Sequence, residues 1–334
     1  MKKTMTSLFT ALVLVAVCII HAPIITYAED VPPSFTAQTL KLNDTEVIRY
    51  WLFTPRNAAE NMPLIVYLHG GSGKGDDVNK LTSNGFCQWV SEGRFDDVPA
   101  YILFPQVASK YNGWGDVKRY VKQLTDFTVS KYGIDKNKIS LTGHSMGGTG
   151  TYTIGAAYPQ LFSCIAPMSG SIDCTEKNIS ALSDMPVWAF VGDADTIVPP
   201  ESSIDFINAL RDNGGNENAE ITVFEGATHF DIPTLAYLDE DLDVVGWLLS
   251  NTKESKITSY ANGTVTVDIA VPGEYTVIFS DYDEQGGLRN CVFTTQAFVY
   301  GENTVSVPDG ITPDKIMIWD RFKAEPICRA YIVK

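Results

Sequence analysis

A serine lies between two glycines in the stretch Gly143-His144-Ser145-Met146-Gly147. This is the Gly-x-Ser-x-Gly pattern of a nucleophile elbow, in which a strand turns sharply into a helix and exposes the serine hydroxyl above the sheet. Glycines suit the flanking positions because side chains there would clash in so tight a turn. The pattern predicts Ser145 as a nucleophile and the backbone N–H of Met146 as an oxyanion-hole donor. A small residue packed in an ordinary turn is the alternative.

A serine hydroxyl needs a base within hydrogen-bond distance and an acid that orients the base. The chain has four histidines. His21 lies in an apolar leader, His69 is expected to brace a glycine-rich loop by hydrogen bonds, and His144 adjoins the nucleophile with its side chain directed elsewhere. His229 immediately follows the last predicted core strand. It is therefore the predicted base, although a histidine in a loop can also be an ordinary polar residue.

Two aspartates in residues 192–199 could orient this base. Asp195 is the predicted acid because it follows a strand and precedes a Val-Pro pair, as in the acid loop of many hydrolases. Asp193 is the second candidate, and its alternative role is to bond the loop backbone. The resulting order along the chain is Ser145, Asp195, His229.

A second group of glycines follows the buried, continuously apolar run at residues 63–68. The spacing in the loop at residues 69–73 matches neither dinucleotide-binding nor Walker loops, so phosphate binding is not predicted. Glycine allows a backbone N–H to approach a substrate carbonyl closely. Gly71 is therefore the predicted second donor of the oxyanion hole.

The elements that must position these residues alternate between strand and helix. Apolar β-prone runs lie at residues 63–68, 100–104, 138–142, 165–168, 187–191 and 221–224, with a hairpin over 39–55 at the edge. Asp116 is expected to cap the helix that Gly133 ends, and a last helix is expected over residues 235–249. The alternation predicts an α/β fold with a mainly parallel central sheet.

The pattern changes near residue 251. From residue 256 onward, short strand-like runs are separated by Asn262-Gly263 and similar turns, without helical spacing. A small all-β sandwich is predicted there. The predicted organisation is a signal peptide at residues 1–28, a catalytic domain at 29–252 and a β-sandwich accessory domain at 256–334.

The leader has Lys2 and Lys3 before an apolar run, and small residues end at Ala28. It predicts secretion to the extracellular space, with no stable membrane anchor after cleavage; an uncleaved anchor is the alternative. The formal charge is −15, and it becomes −17 without the leader because the leader has two lysines and no acid. Nucleic acid is therefore not a predicted partner.

No cofactor or metal site is predicted. Five cysteines follow the leader without metal-type spacing, and Cys291 and Cys328 could either pair or remain free thiols. The acidic turn at residues 281–287 could bind calcium, but a solvated turn is the simpler interpretation.

Four motifs together resemble secreted α/β-hydrolases of the esterase group, which includes feruloyl and acetylxylan esterases, polyhydroxybutyrate depolymerase-like proteins and predicted esterase-type peptidases. The resemblance covers residues 40–250, and its motifs are Leu68-His69-Gly70-Gly71, Gly143-His144-Ser145-Met146-Gly147-Gly148, Gly192-Asp193-Ala194-Asp195 with Val198-Pro199, and Thr228-His229. It implies an α/β-hydrolase fold and a Ser145-Asp195-His229 triad that cleaves carboxylic esters through an acyl-enzyme. By analogy, the substrates would be small esters or acetyl and feruloyl esters on plant polysaccharide.

Two other functions are compatible with the same residues. A prolyl-oligopeptidase-like serine peptidase would use the same triad on amides. A surface scaffold would instead bind glycan or protein, with sugar contacts through the C-terminal module. Trp114 and Gln106 could line the substrate pocket or pack in the core. The candidates for sugar stacking or for cross-strand packing are Tyr260, Tyr282, Tyr300 and Trp319.

Overall fold

A computed structural model describes residues 30–333, and an eight-stranded sheet forms its centre. The strand order is β1-β2-β4-β3-β5-β6-β7-β8. The first two strands pair antiparallel to each other and β2 pairs antiparallel to β4, whereas β3 to β8 run parallel. The strands are β1 (Ser34–Lys41), β2 (Val47–Thr54), β3 (Leu64–Leu68), β4 (Tyr101–Pro105), β5 (Ile139–His144), β6 (Cys164–Met168), β7 (Val187–Gly192) and β8 (Ala219–Phe224).

Helices cover both faces of this sheet. They are α1 (Gly85–Ser91), α2 (Trp114–Tyr132), α3 (Met146–Ala157), α4 (Glu176–Leu182), α5 (Glu201–Asp212), α6 (Ile232–Tyr237) and α7 (Val244–Ser250), with 3-10 turns at Gly71–Gly73 and Val78–Ser83.

Strand β3 shows why the predicted core strands are apolar throughout. Its residues alternate between the two faces, and all five are buried. Leu64, Val66 and Leu68 pack in the core with α2, α3 and α5, whereas Ile65 and Tyr67 pack in the core with α1, α6 and α7. A parallel strand covered on both faces needs apolar residues at every position. The predicted α/β class with a mainly parallel sheet is confirmed.

The boundaries of α2 differ from those predicted. Gly133 ends the helix as expected, in the left-handed conformation at φ 63°, with its N–H donating to the carbonyl oxygen of Val129. The N-cap is Gly113, however, and not Asp116. Asp116 lies in the first turn and accepts a hydrogen bond from the N–H of Asn112 at 2.8 Å. The acidic side chain therefore stabilises the approach to the helix from inside its first turn.

The predicted last helix is two helices, α6 and α7. The chain leaves helical geometry between them, in the acidic stretch of residues 239–243. Asp243 adopts φ 40° and caps α7 by accepting a hydrogen bond from the N–H of Gly246 at 3.0 Å. Aspartate favours such a cap over the helix interior, which the apolar periodicity alone does not reveal.

Two antiparallel sheets form the C-terminal part, as predicted, and enclose an apolar core of their own. One sheet has the order β13-β10-β9 and the other β12-β11-β14-β15. The strands are β9 (Lys256–Ala261), β10 (Thr264–Ile269), β11 (Gly273–Tyr282), β12 (Leu288–Phe298), β13 (Gly301–Ser306), β14 (Lys315–Asp320) and β15 (Tyr331–Ile332).

Lys253 attaches the segment that leads into these sheets. Its half-buried ammonium donates to the carbonyl oxygens of Gln160 and Leu161 at 2.8 and 3.2 Å, and its N–H donates to the carbonyl oxygen of Asn137. Burial lowers the pKa of Lys253 to about 8. These acceptors precede β5 and β6, so the C-terminal sheets adjoin the amino ends of the parallel strands.

Within residues 30–333, no helix has both the length and the apolar character needed to cross a membrane. The predicted signal peptide lies outside the described residues.

Gly147 sets the distance between α3 and β3. A Cβ at this position would lie 1.8 Å from the carbonyl oxygen of Leu68, whereas a Cβ at Gly115, which is exposed in α2, would meet nothing within 4 Å. We expect Gly147→Ala to lower the free energy of unfolding by about 3 kcal/mol or more, because backbone must move. Gly115→Ala should be neutral or stabilise by about 0.5 kcal/mol. Urea unfolding of both variants measures the difference, and equal stabilities would contradict the close approach.

Candidate active site

Ser145 occupies the turn between β5 and α3 in a conformation that non-glycine residues rarely adopt. Its φ is 61° and its ψ is −120°, and its N–H donates to the carbonyl oxygen of Met168 at 2.9 Å. The adjacent strand leaves no room for side chains here, since a Cβ at Gly143 would lie 2.5 Å from the carbonyl oxygen of Leu68. The surrounding backbone therefore holds Ser145 in a strained geometry that presents its hydroxyl at the carboxyl edge of the sheet.

The structure brings Ser145, His229 and Asp195 together. The Oγ of Ser145 lies 2.8 Å from Nε2 of His229, and Nδ1 of His229 lies 2.7 Å from Oδ2 of Asp195. The carboxylate can only accept, so Nδ1 carries the proton and Nε2 is free to accept the hydroxyl proton of Ser145. His229 and Asp195 are both buried. This arrangement can deprotonate a serine at the moment of attack.

Both carboxylate oxygens of Asp195 are occupied. Oδ1 accepts hydrogen bonds from the N–H groups of Ile197 and Val198 at 2.9 Å each, and Oδ2 faces His229. Burial alone would raise the pKa of Asp195, but the hydrogen bonds from Val198, His229 and Ile197 outweigh it and lower the pKa below its ordinary value. The residue is therefore an ionised acceptor at neutral pH.

Asp193, the second candidate for the acid, does not reach the imidazole. Its Oδ1 accepts a hydrogen bond from the N–H of Gly226 at 2.7 Å, which ties the end of β7 to the loop that carries His229. Asp231 stabilises the same loop by accepting hydrogen bonds from the N–H and the hydroxyl of Thr228. Two exposed aspartates thus hold the loop from either side of the buried histidine.

His144 points toward the loop that carries His229, a direction that the sequence did not predict. Its Nε2 lies 2.8 Å from the carbonyl oxygen of His229, and the two rings are 4.7 Å apart. Burial, followed by the nearby ring of His229, lowers the pKa of His144 to about 4. The contact joins residues 85 positions apart, so only its place beside the nucleophile could have hinted at it.

The two backbone N–H groups predicted for the oxyanion hole belong to residues that begin a 3-10 turn and a helix. Gly71 starts a 3-10 turn and Met146 starts α3. In the described part of the chain, neither N–H has a protein acceptor. A Cβ on Gly70 would lie 3.5 Å from the Cβ of Ser145, so the glycine loop adjoins the nucleophile. Two unengaged donors next to a serine can bind a developing oxyanion.

His69 braces this glycine loop, as the sequence predicts. Its Nε2 accepts a hydrogen bond from the N–H of Val107 at 3.1 Å, so Nδ1 carries the proton and donates to the carbonyl oxygen of Gly70 at 2.6 Å. Burial lowers the pKa of His69 to about 4. A Cβ at Gly73 would lie 2.6 Å from the imidazole. The neutral ring thereby fixes the loop shape.

Trp114 and Gln106 support the same loop from the core and do not line the catalytic cavity. The buried indole of Trp114 donates to the carbonyl oxygen of His69 at 3.0 Å. The amide of Gln106 donates to the carbonyl oxygens of Gly73 and Asp77 at 2.9 and 2.7 Å. Both side chains therefore donate to carbonyl oxygens of the loop and help to satisfy their hydrogen-bonding capacity.

An open cavity of about 510 Å³ contains the Ser145 hydroxyl. Two hydrophobic side chains at its rim are largely solvent-exposed, Phe230 at 74% and Ile197 at 55%. Phe230 directly follows His229 and Ile197 lies two residues after Asp195, and this closeness in sequence could have identified them. No lining residue is an aspartate, glutamate, lysine or arginine. The lining residues are Tyr67, Gly70, Gly71, Ser72, Asn84, Gly85, Trp89, His144, Ser145, Ile197, His229, Phe230, Pro233 and Thr234.

Residues 30–333 contain no group of three or more histidine, cysteine or acidic side chains that could hold a metal ion. In the turn considered for calcium, Asp283 instead accepts hydrogen bonds from the N–H groups of Gln285 and Gly287. Cys291 and Cys328 are free thiols.

Three of the aromatic candidates for sugar stacking line no common groove. Tyr260 packs against the core of the C-terminal sheets, Tyr300 lines a cleft with Asp184 and Asp268, and Trp319 lines a separate groove with Met317 and Tyr331. Glycan contact by this part of the chain stays a prediction.

With the geometry established, the chain can be compared with known proteins. The dienelactone hydrolase family model matches residues 103–233, which is less than half of the chain. The crystal structure of a thermostable esterase superposes with a TM-score of 0.58 at 27% identity, covering 66% of this chain and 63% of that chain. The chain has the α/β-hydrolase fold and resembles esterases. The predicted resemblance and fold are confirmed.

Sequence relatives of this chain carry esterase names. Acetylxylan esterase A of Aspergillus awamori is 26% identical over 193 residues, covering 55% of this chain and 62% of the relative. Feruloyl esterase B of Talaromyces stipitatus is 27% identical over 130 residues, covering 37% of this chain and 36% of the relative. The chain thus spans less than two thirds of either relative.

The hydrogen bonds at His69 and His144 predict opposite tautomers, and burial lowers the pKa of each ring to about 4. In ¹⁵N-resolved NMR we expect protonated Nδ1 at His69 and protonated Nε2 at His144, each ring losing its neutral form only near pH 4. The unfolded chain takes up these protons near the ordinary pKa of 6.5. Stability should therefore fall as the pH drops from about 6.5 to 4. Titration of either folded ring near pH 6.5 would contradict the assignment.

Proposed function

We propose that this protein is a secreted serine hydrolase that cleaves carboxylic esters through Ser145, His229 and Asp195. The observation that carries the proposal is the pair of hydrogen bonds that join the three side chains, at 2.8 and 2.7 Å. The esterase names of the sequence relatives support an ester as the substrate. The leader sequence supports secretion.

In the proposed reaction, Nε2 of His229 takes the hydroxyl proton of Ser145 while Oγ bonds to the ester carbonyl carbon. The imidazolium then gives this proton to the alkoxy oxygen as the bond between carbon and oxygen breaks, and the alcohol leaves. Water repeats the sequence on the acyl-enzyme: His229 accepts its proton, the acid departs, and Ser145 regains its proton. Asp195 holds Nδ1–H and stabilises the transient cation.

The oxyanion of each tetrahedral intermediate is proposed to bind the N–H groups of Gly71 and Met146. Gly71 is well suited because a Cβ there would meet nothing within 4 Å, so substrate has space beside its backbone. His69, Trp114 and Gln106 keep the loop in place without exchanging protons with the substrate. Preorganised donors cost no rearrangement when the charge develops.

The proposed substrates are uncharged esters, either small molecules or acetyl and feruloyl groups on plant polysaccharide. An anionic acyl group would find no lysine or arginine in the cavity at Ser145, and burying it unpaired would be costly. The exposed ring of Phe230 and the half-buried indole of Trp89 favour contact with an apolar or aromatic acyl group.

Ester release by purified residues 29–334 tests this function. We expect turnover of p-nitrophenyl acetate, p-nitrophenyl butyrate or methyl ferulate, and a loss of about 10⁴-fold or more in Ser145→Ala. Ser91→Ala, which removes an exposed hydroxyl from α1, is the matched control and should keep wild-type rates. Turnover that survives in Ser145→Ala would contradict the mechanism. Cleavage of peptides but not esters would favour the peptidase alternative, and glycan binding without turnover the scaffold.

Asp195 and Asp193 allow a sharper test because they lie two residues apart, yet Asp195 is buried against His229 whereas Asp193 is exposed and binds the backbone. Asp195→Asn replaces the acceptor of the His229 Nδ1–H, and kcat should fall about 10⁴-fold because the imidazole loses its tautomer. Asp193→Asn alters a bond to the backbone of Gly226 and should cost less than about tenfold. Comparable losses in both variants would contradict the assignment of the acid.

Phe230 is predicted to favour bulky acyl groups. Phe230→Ala should lower kcat/KM for methyl ferulate by about three- to tenfold, because apolar contact area is lost, and change that for p-nitrophenyl acetate by less than about twofold. Phe322→Ala is the control, since Phe322 is equally exposed, at 79%, but lies in the C-terminal part. An equal effect on both esters would show that Phe230 does not select the acyl group.

A further inference from the structure

His144 has no task in the proton transfers proposed above, yet it makes a specific contact with the base. Its Nε2 lies 2.8 Å from the carbonyl oxygen of His229. A carbonyl can only accept a hydrogen bond, so Nε2 of His144 carries the proton and donates it. The donor is the residue immediately before the nucleophile.

The residues at 144 and 145 thus hold His229 at two places. The hydroxyl of Ser145 faces Nε2 of the imidazole at 2.8 Å, while His144 binds the backbone of the same residue. Asp195 fixes the remaining ring nitrogen at 2.7 Å. Together the three contacts fix both the ring and the main chain from which it projects.

The other contacts of this loop act elsewhere. Asp193 binds the N–H of Gly226, and Asp231 binds Thr228. Neither reaches the main chain of His229 itself. His144 makes that contact from β5, the element that presents the nucleophile, so it links the two sides of the proton transfer directly.

We propose that His144 is a positioning residue that sets the distance between the imidazole of His229 and the hydroxyl of Ser145 by holding the carbonyl group of His229. The proposal rests on the proposed function of the triad. Small displacements of a base cost rate because proton transfer requires hydrogen-bond distance between the heavy atoms.

A neutral side chain suits this position. The rings of His144 and His229 are 4.7 Å apart, so a cation at residue 144 would repel the imidazolium formed during catalysis. Burial lowers the pKa of His144 to about 4, so this ring is neutral at neutral pH. The side chain can therefore donate one hydrogen bond without adding charge beside the base.

Two substitutions separate the hydrogen bond from the shape of the side chain. His144→Gln keeps an N–H donor at a similar reach, whereas His144→Leu fills comparable space and cannot donate. We expect His144→Leu to lower kcat for p-nitrophenyl butyrate by about three- to tenfold with KM nearly unchanged, and His144→Gln to recover most of that loss. The rate of Ser145 labelling by a fluorophosphonate should fall in parallel, independently of the choice of ester.

A double-mutant cycle distinguishes positioning from general damage. If His144 acts through His229, His144→Leu should change neither the residual turnover nor the labelling rate when His229 is already alanine. Wild-type rates in His144→Leu, equal losses in the Leu and Gln variants, or additive losses with His229→Ala would each overturn the proposal. A wild-type protein that neither turned over esters nor became labelled would contradict the function of the triad, and the role of His144 with it.

Discussion

The close approach of α3 to the end of β3 is the constraint on which the site depends. Gly147 has no side chain, so the first turn of α3 lies against the carbonyl oxygen of Leu68. The same approach brings the loop that begins at His69 next to the strained turn at Ser145. Ser145 and the glycine loop are therefore neighbours because two backbone segments touch. A larger residue at the contact would separate the serine from the N–H of Gly71.

Buried neutral groups then hold the loops that these contacts bring together. His69 uses one ring nitrogen to accept from Val107 and the other to donate to Gly70, so a single side chain joins two loops. His144 likewise joins the turn at Ser145 to the loop that carries His229, through one donated hydrogen bond. An imidazole can do this while buried because, when neutral, it avoids the cost of desolvating a charge. Only His229 among these rings is placed against both a hydroxyl and a carboxylate.

The sequence predicts most of this fold because its strongest signals are local. The apolar run of β3 and the glycines around Ser145 each state a backbone requirement within a few residues. The sequence does not predict side-chain contacts whose partners are distant in the chain. It also does not predict helix ends that are decided by a local capping bond. His144 meets His229 only after β5 and the end of β8 are brought to one edge, and Trp114 is revealed as a brace only by its contact with His69.

Helix ends show how a local hydrogen bond can override the pattern of apolar residues. Apolar spacing predicted one helix over residues 235–249, but the capping bond of Asp243 to the N–H of Gly246 starts a new helix there. Periodicity reports which face is buried, whereas caps decide where the hydrogen-bond pattern begins.

The location of the C-terminal sheets limits what they can contribute to acyl selectivity. Lys253 attaches them near Gln160 and Asn137, at the amino ends of the parallel strands, whereas Ser145 lies at the carboxyl end of β5. A strand of five or six residues separates these edges by roughly 17–20 Å. None of residues 256–333 lines the catalytic cavity. The segments around Trp89 and Phe230 line this cavity, so under the proposed function the acyl group would contact the α/β part of the chain, and any polymer bound by the C-terminal sheets would lie away from Ser145.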